Sequence, residues 1–197
     1  MTKIKIFLLI AVTLLFSGCA LNNYQIEKQY TPVSQKYDDV GKYSVSTKVS
    51  YEPEIPTEPK LVAVKKNGYG QETAKIYLSE NVDEWIKKGF DQQLKMAGFN
   101  VENGQNNIQI TLKIEQLFLE PWVGFWSASL VGISKIEAQV ELPHKYSYYI
   151  RKFVTYNKST AIIWTDGIME NNFFEVTQKS LPEIVKEIRF LLLEKNK

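Results

Sequence analysis

Between Glu80 and Ala97 the apolar residues Val82, Ile86, Phe90, Leu94 and Ala97 recur at steps of three and four, with Trp85 flanking the stripe. That spacing predicts an amphipathic helix with one face against a core. Ser79 stands where an N-cap is expected, Glu80, Asp83 and Glu84 sit at the positive end of the helix dipole, and Gly98 marks the stop. Phe99-Asn100-Val101 then runs into the turn signal Asn103-Gly104. Ile108, Ile110, Leu112 and Ile114 alternate with polar residues, the pattern of a half-buried strand. The phase slips at Gln116, after which Leu117 and Leu119 are the apolar positions, so a bulge is predicted there. Residues 130–142 repeat the alternation through Ile136, Ala138, Val140 and Leu142. Pro143-His144 reads as a turn, and Tyr146 to Tyr156 as an aromatic-rich third strand.

The flanking segments complete the picture. Tyr43 to Tyr51 alternates weakly and predicts a first strand. Prolines at 53, 56 and 59 favour extended, polyproline-like chain rather than helix or central strand. Leu61-Val62-Ala63-Val64 is a short continuous apolar run, as in a strand buried on both faces, and Asn67-Gly68-Tyr69-Gly70 marks a turn. Toward the C-terminus Ile184, Ile188 and Leu191, widened by Leu181, Val185 and Leu192, predict a second helix. Ser180-Leu181-Pro182-Glu183 reads as its capping box, with an earlier helical piece over 171–179 joining at a kink. The order β-β-α-β-β-β-α predicts an α+β fold: an antiparallel sheet of four to five strands with two amphipathic helices packed on one face.

The first twenty residues follow another rule. Lys3 and Lys5 precede an apolar run from Ile6 to Phe16, too short to span a bilayer, and Ser17-Gly18 places small residues before Cys19. Phe16-Ser17-Gly18-Cys19 resembles the lipobox of type II signal peptides. That resemblance implies cleavage of residues 1–18 and acylation of Cys19, which tethers the chain to a membrane. Ala20, where an aspartate would signal inner-membrane retention, implies the outer membrane and its periplasmic face. Residues 19–42, polar and without apolar period, are read as the lipidated cysteine and a flexible tether lifting the domain off the membrane. Residues 43–197 are read as a single domain. Cys19 is the one cysteine of 197 residues, so no internal disulfide forms and the fold rests on its core. Loss of residues 1–18 takes Lys3 and Lys5 with it, leaving 22 basic against 22 acidic residues. A formal charge of zero gives no electrostatic case for nucleic acid.

The helix end Leu94-Lys95-Met96-Ala97-Gly98-Phe99-Asn100-Val101 leads to the strand Ile108-Gln109-Ile110-Thr111-Leu112. A later charged strand (Tyr149-Ile150-Arg151-Lys152-Phe153-Val154-Thr155-Tyr156) precedes the C-terminal helix. Together with the lipobox, and over roughly residues 60–192, this resembles the YajG-type family of small outer-membrane-associated lipoproteins. The resemblance implies a fold and an address, without an activity.

Catalytic chemistry finds no constellation. His144 is the sole histidine and sits at a turn, so neither a Ser-His-Asp nor a Cys-His arrangement is available without it, and a metal site of Cys and His is excluded. No cofactor is expected. Carboxylates at Asp38-Asp39, Asp83-Glu84 and Glu170 show no paired spacing. The informative segment is Pro121-Trp122-Val123-Gly124-Phe125-Trp126, three aromatics in five residues between two strands. Trp122, Phe125 and Trp126 either fold back as a plug, bind a protein partner, or insert at a lipid interface. Two functions follow as expectations. One is a non-enzymatic, membrane-anchored lipoprotein binding an envelope protein. The other is a carrier or sensor of lipid or glycan, with a pocket between helices and sheet lined by Phe90, Leu112 and Trp164.

Overall fold

The computed structural model describes residues 22–194 apart from 56, 103, 105–106, 124–127, 144–147 and 161–164. In chain order the elements are β1 (Tyr24–Ile26), β2 (Ser44–Tyr51), β3 (Leu61–Lys66), β4 (Glu72–Leu78), α1 (Val82–Ala97), β5 (Asn100–Val101), β6 (Ile108–Val123), β7 (Ala128–Glu141), β8 (Tyr148–Thr160) and α2 (Asp166–Glu194). The α+β class stands. Among the described residues, however, the sheet has eight strands rather than four or five, and it is mixed rather than antiparallel.

β6 is the spine. Along one edge it pairs antiparallel with β7, which pairs antiparallel with β8. Its other edge is shared: β2 lies parallel to its first half, Val45 opposite Ile108 through Tyr51 opposite Ile114, and β3 takes over with Ala63 opposite Leu119. β4 and then β1 continue beyond β3, and the two-residue β5 continues beyond β2. Alternation along a strand reports which face is wet, not which strand is its neighbour, so the parallel pairings were not legible. The bulge fell where expected: register shifts between Ile114 and Gln116, Ile114 and Leu117 are both buried, and the polar face resumes its phase beyond. β4 was missed although Ala74, Ile76 and Leu78 alternate.

Both helices cover one face. Asp91 of α1 bonds Thr47 of β2, and Val176 of α2 lies against Gly132 of β7, where an added Cβ would come within 3.4 Å of it. Every stripe residue of α1 is buried, and Trp85 lies at its centre, against Phe173 and Phe174 of α2. Gly98 ends α1 in the left-handed region at φ 102°. Its N–H and that of Phe99 return to the carbonyls of Lys95 and Leu94, the two bonds of a Schellman cap. α2 runs unbroken through Pro182, so the break and capping box expected at Ser180-Glu183 do not form. The Ser180 hydroxyl instead donates to the Val176 carbonyl one turn back, and the helix begins at Asp166, with Thr165 Oγ1 accepting from the Ile168 N–H.

The largest correction concerns residues 22–42. They are not a flexible tether. β1 pairs with β4, and Ile26, Tyr30 and Val40 are in the core. The buried Gln93 of α1 clamps this segment: its Oε1 accepts from the Tyr30 hydroxyl and the Val33 N–H, and its Nε2 donates to the Val33 carbonyl, each at 2.9 Å. Asp39 forms a two-point pair with Arg189 of α2. Gly89 is the position where Tyr30 crosses α1, and a Cβ there would lie 2.8 Å from Tyr30 Cβ and Cγ. A glycine inside a helix is ordinarily worth replacing by alanine, for a gain of about 1 kcal/mol. Here the sign should reverse: Gly89→Ala is expected to destabilise by about 1–3 kcal/mol through overpacking. A raised urea midpoint for that variant would mean Tyr30 does not lie on the helix.

Candidate functional site: the helix-free face and its open edge

With both helices on one side, the other side of the sheet carries no helix among the described residues, and its side chains are set by the strand registers. On β6 they are Lys113, Glu115, Gln116, Phe118, Glu120 and Trp122, and on β7 Ser129, Val131, Ile133, Lys135, Glu137 and Gln139. On β8 they are Ile150, Lys152, Val154, Tyr156 and Lys158. The face divides into two parts.

Near the bulge it is a charged lattice. Lys152 Nζ reaches Glu115 Oε1 at 2.7 Å, Lys135 lies 3.6 Å from the other oxygen and also pairs with Glu54, and Lys113 holds Glu52 at 2.7 Å. Lys152 holds the Glu115 carboxyl below the usual carboxylate range, against the burial that pushes it up. Positive and negative groups alternate, so this part has no net field to attract an ion.

Toward the other end the face turns apolar. Phe118, Ile133 and Tyr156 stand opposite one another across three strands. Val131 and Val154 flank that row. Tyr156 is 72% exposed and Val154 64%, whereas Ile150, 52% exposed, lies beyond Lys152 on the other side of the charged lattice. Beside Phe118, where β2 leaves β6 and β3 joins it, a cleft of about 400 Å³ opens, lined by Tyr51, Ile55, Leu61, Val64, Leu117 and Phe118 among others. Among the described residues β8 pairs with β7 alone, so its outer backbone edge carries no strand. Arg151, Lys152 and Lys158 on β8 are the charges that commonly guard such an edge from indiscriminate pairing.

Of the residues singled out from the sequence, Trp122 is 62% exposed at the end of β6, so its indole does not plug the sandwich. Phe125, Trp126, Cys19, His144 and Trp164 lie outside the described residues. Phe90 and Leu112 are fully buried in a packed core, so the cavity expected between helices and sheet is not at that place. The carboxylates are structural partners: Asp39 pairs with Arg189, Glu170 accepts from the Tyr24 hydroxyl at 2.6 Å, and Asp83 and Glu84 stand in the first turn of α1. The exposed row on β8 was not read from the sequence. Apolar residues occupy both of its alternating sets (Ile150, Val154 and Tyr156 against Tyr149 and Phe153), so periodicity alone did not say which set met the core.

Similar folds are known. The crystal structure of protein XCC0632 from Xanthomonas campestris, of family DUF330, is 11% identical with a TM-score of 0.64, over 88% of this chain and 98% of that one. A second crystal structure, of an uncharacterized protein, is 10% identical with a TM-score of 0.51, over 85% of this chain and 98% of that one. At these identities the likeness concerns the fold. No curated protein matches the sequence. A family model, Lipoprotein_16, described as uncharacterized lipoprotein, matches residues 59–187.

Proposed function

The chain belongs to the Lipoprotein_16 family, and from that premise we propose that lipid on Cys19 holds it at the periplasmic face of the outer membrane, where its domain binds an envelope protein without catalysing a reaction. The anchor is supported by Phe16-Ser17-Gly18-Cys19, and the outer-membrane address by Ala20. Closer kinship with YajG-type lipoproteins is part of the proposal and is supported by the junction Leu94 to Val101, which forms the helix cap and short strand that such a junction requires. No described helix is long and apolar enough to cross a membrane.

The observation that carries partner binding is the edge of β8, which among the described residues carries no further strand, beside exposed Val154 and Tyr156. An incoming strand would gain main-chain hydrogen bonds from the edge and apolar contact from the face, the mode known as strand addition. A desolvated aromatic such as Tyr156 contributes about 2 kcal/mol or more in an interface, roughly thirtyfold in affinity. The test is a detergent pull-down of the lipidated chain against its Val154→Lys/Tyr156→Glu variant. Both residues are exposed, so the urea midpoint should stay within about 0.5 kcal/mol of the parent while the captured envelope protein is lost. Capture undiminished in a folded variant would sink the reading.

The carrier reading moves to the cleft beside Phe118, whose lining is mostly apolar and whose size suits a short acyl segment. Saturable binding of a fluorescent fatty acid, abolished by Val64→Trp, would favour it.

A further inference from the structure

We propose that the domain rests directly on the membrane, on the end formed by the β3–β4 turn and the tip of β6, with Tyr69 and Trp122 in the headgroup layer. This rests on the reading that Cys19 is lipidated.

The argument begins with chain length. Asn22 is fixed in the fold: its carbonyl accepts from the buried Lys65 at 3.1 Å, and the side chain of its neighbour Asn23 accepts the Lys75 N–H at 2.8 Å. Lys65 is itself paired with Asp166 at the start of α2, at 2.5 Å. Two residues, Ala20 and Leu21, and so three Cα–Cα steps, separate Cys19 from Asn22 along the chain. Whatever their conformation, they reach at most about 11 Å. The acylated residue, and hence the bilayer surface, is therefore within about 11 Å of this point on the domain.

The registers say which end this is. Tyr24 lies opposite Ile76 in parallel pairing, which brings Asn22 level with Ala74, and Ala74 lies opposite Lys65. Chain leading back toward Cys19 departs from the end where β3 turns into β4. Ala63 opposite Leu119 in parallel pairing puts Lys66 level with Trp122. The β3–β4 turn and the end of β6 thus stand at the same end as the anchor. β1 and β6 are three strand spacings apart in the order β1-β4-β3-β6, roughly 14 Å.

That end is aromatic. Tyr69, at the apex of the turn, is 91% exposed, and Trp122 is 62% exposed. Tyrosine and tryptophan are the side chains that settle at a membrane–water interface, with the ring among the upper acyl carbons and the polar tip hydrated. The charges between them, Lys66 and Glu120, pair with each other. Docking is therefore aromatic rather than electrostatic, and it is insensitive to the fraction of anionic lipid. One consequence is that the strands rise from the bilayer, which directs the β8 edge away from the membrane surface.

Glu141 provides the control. It is exposed and lies opposite Gln109, thirteen residues down β6 from Trp122, about 43 Å away. Acylation blocks the Cys19 thiol, so a single introduced cysteine can be labelled in the full lipidated chain. Tyr69→Cys, Trp122→Cys and Glu141→Cys would each carry an environment-sensitive fluorophore. The chains would be reconstituted in vesicles of phosphatidylethanolamine and phosphatidylglycerol with chain-brominated lipid as quencher. About twofold or greater quenching is expected at 69 and 122, with none at 141, unchanged when phosphatidylcholine replaces phosphatidylglycerol. Chains that float with the vesicles but are unquenched at 69 and 122, or quenched equally at 141, would overturn the docking while leaving the anchor intact. Chains that do not float would overturn the anchor reading, and the docking with it.

Discussion

A chain trimmed to begin at residue 43 should lose about 5 kcal/mol or more of stability relative to one beginning at residue 22, enough to unfold many domains. Ile26, Tyr30 and Val40 are buried, and a side chain of that kind contributes about 1.5–3 kcal/mol on burial. Their removal also uncovers what they cover. Trp85 loses the edge of Tyr30 at 6.0 Å and the Lys28 carbonyl that accepts from its Nε1 at 3.3 Å. Gln93 loses the Val33 backbone it clamps. The ordered segment has already repaid the entropy of fixing it, so its contacts are net stabilising. Urea midpoints of the two chains decide the matter. Equal midpoints would restore the flexible tether and remove the fixed anchor point on which membrane docking depends.

Trp85→Ala is expected to cost about 3–5 kcal/mol, the largest effect of any single substitution proposed for this protein. The indole is fully buried, with its ring against Phe173 at 5.2 Å and Phe174 at 5.7 Å on α2. It therefore joins three units that no strand connects: α1, α2 and the N-terminal segment. Truncation leaves a void that these rigid neighbours fill only in part. Trp85→Phe should cost less, about 1–2 kcal/mol, because a ring remains while the hydrogen bond to Lys28 is lost. Lys88→Ala, on the exposed side of α1, should change stability by about 0.5 kcal/mol or less. If Trp85→Ala and Lys88→Ala melted alike, the phase of α1 would be wrong.

The contrast between α1 and the N-terminal segment shows what a linear pattern reports. α1 was legible because eight of its residues are buried on one face and its stop is a glycine in a conformation that favours glycine. The bulge in β6 was legible for the same reason: a slip of one residue in a two-residue period is visible along the chain. Residues 22–42 carry no such period. Ile26, Tyr30 and Val40 enter the core singly, from a three-residue strand and irregular backbone, and the glutamine that holds Tyr30 and Val33 stands on a helix about sixty residues further along the chain. Trp122 could be named from the sequence as unusual. Its exposure, and its place at the end from which the chain leads back toward Cys19, depended on the register between β3 and β6.

By itself the sequence determined the α+β class, the two helices and the long strands of the sheet, and it holds the lipobox-like run that supports the proposed anchor at Cys19. Each of these is encoded by near neighbours, through side-chain period, cap residues or a contiguous motif. Tertiary structure alone decided that the sheet is mixed, that residues 24–26 belong to it, and that β8, among the described residues, is an edge strand. It also placed the start of the fold, Tyr69 and Trp122 at one end. Those are relations between segments distant in the chain, where hydrogen-bonding groups are the same for every strand and only the packing of the whole core selects which strands meet.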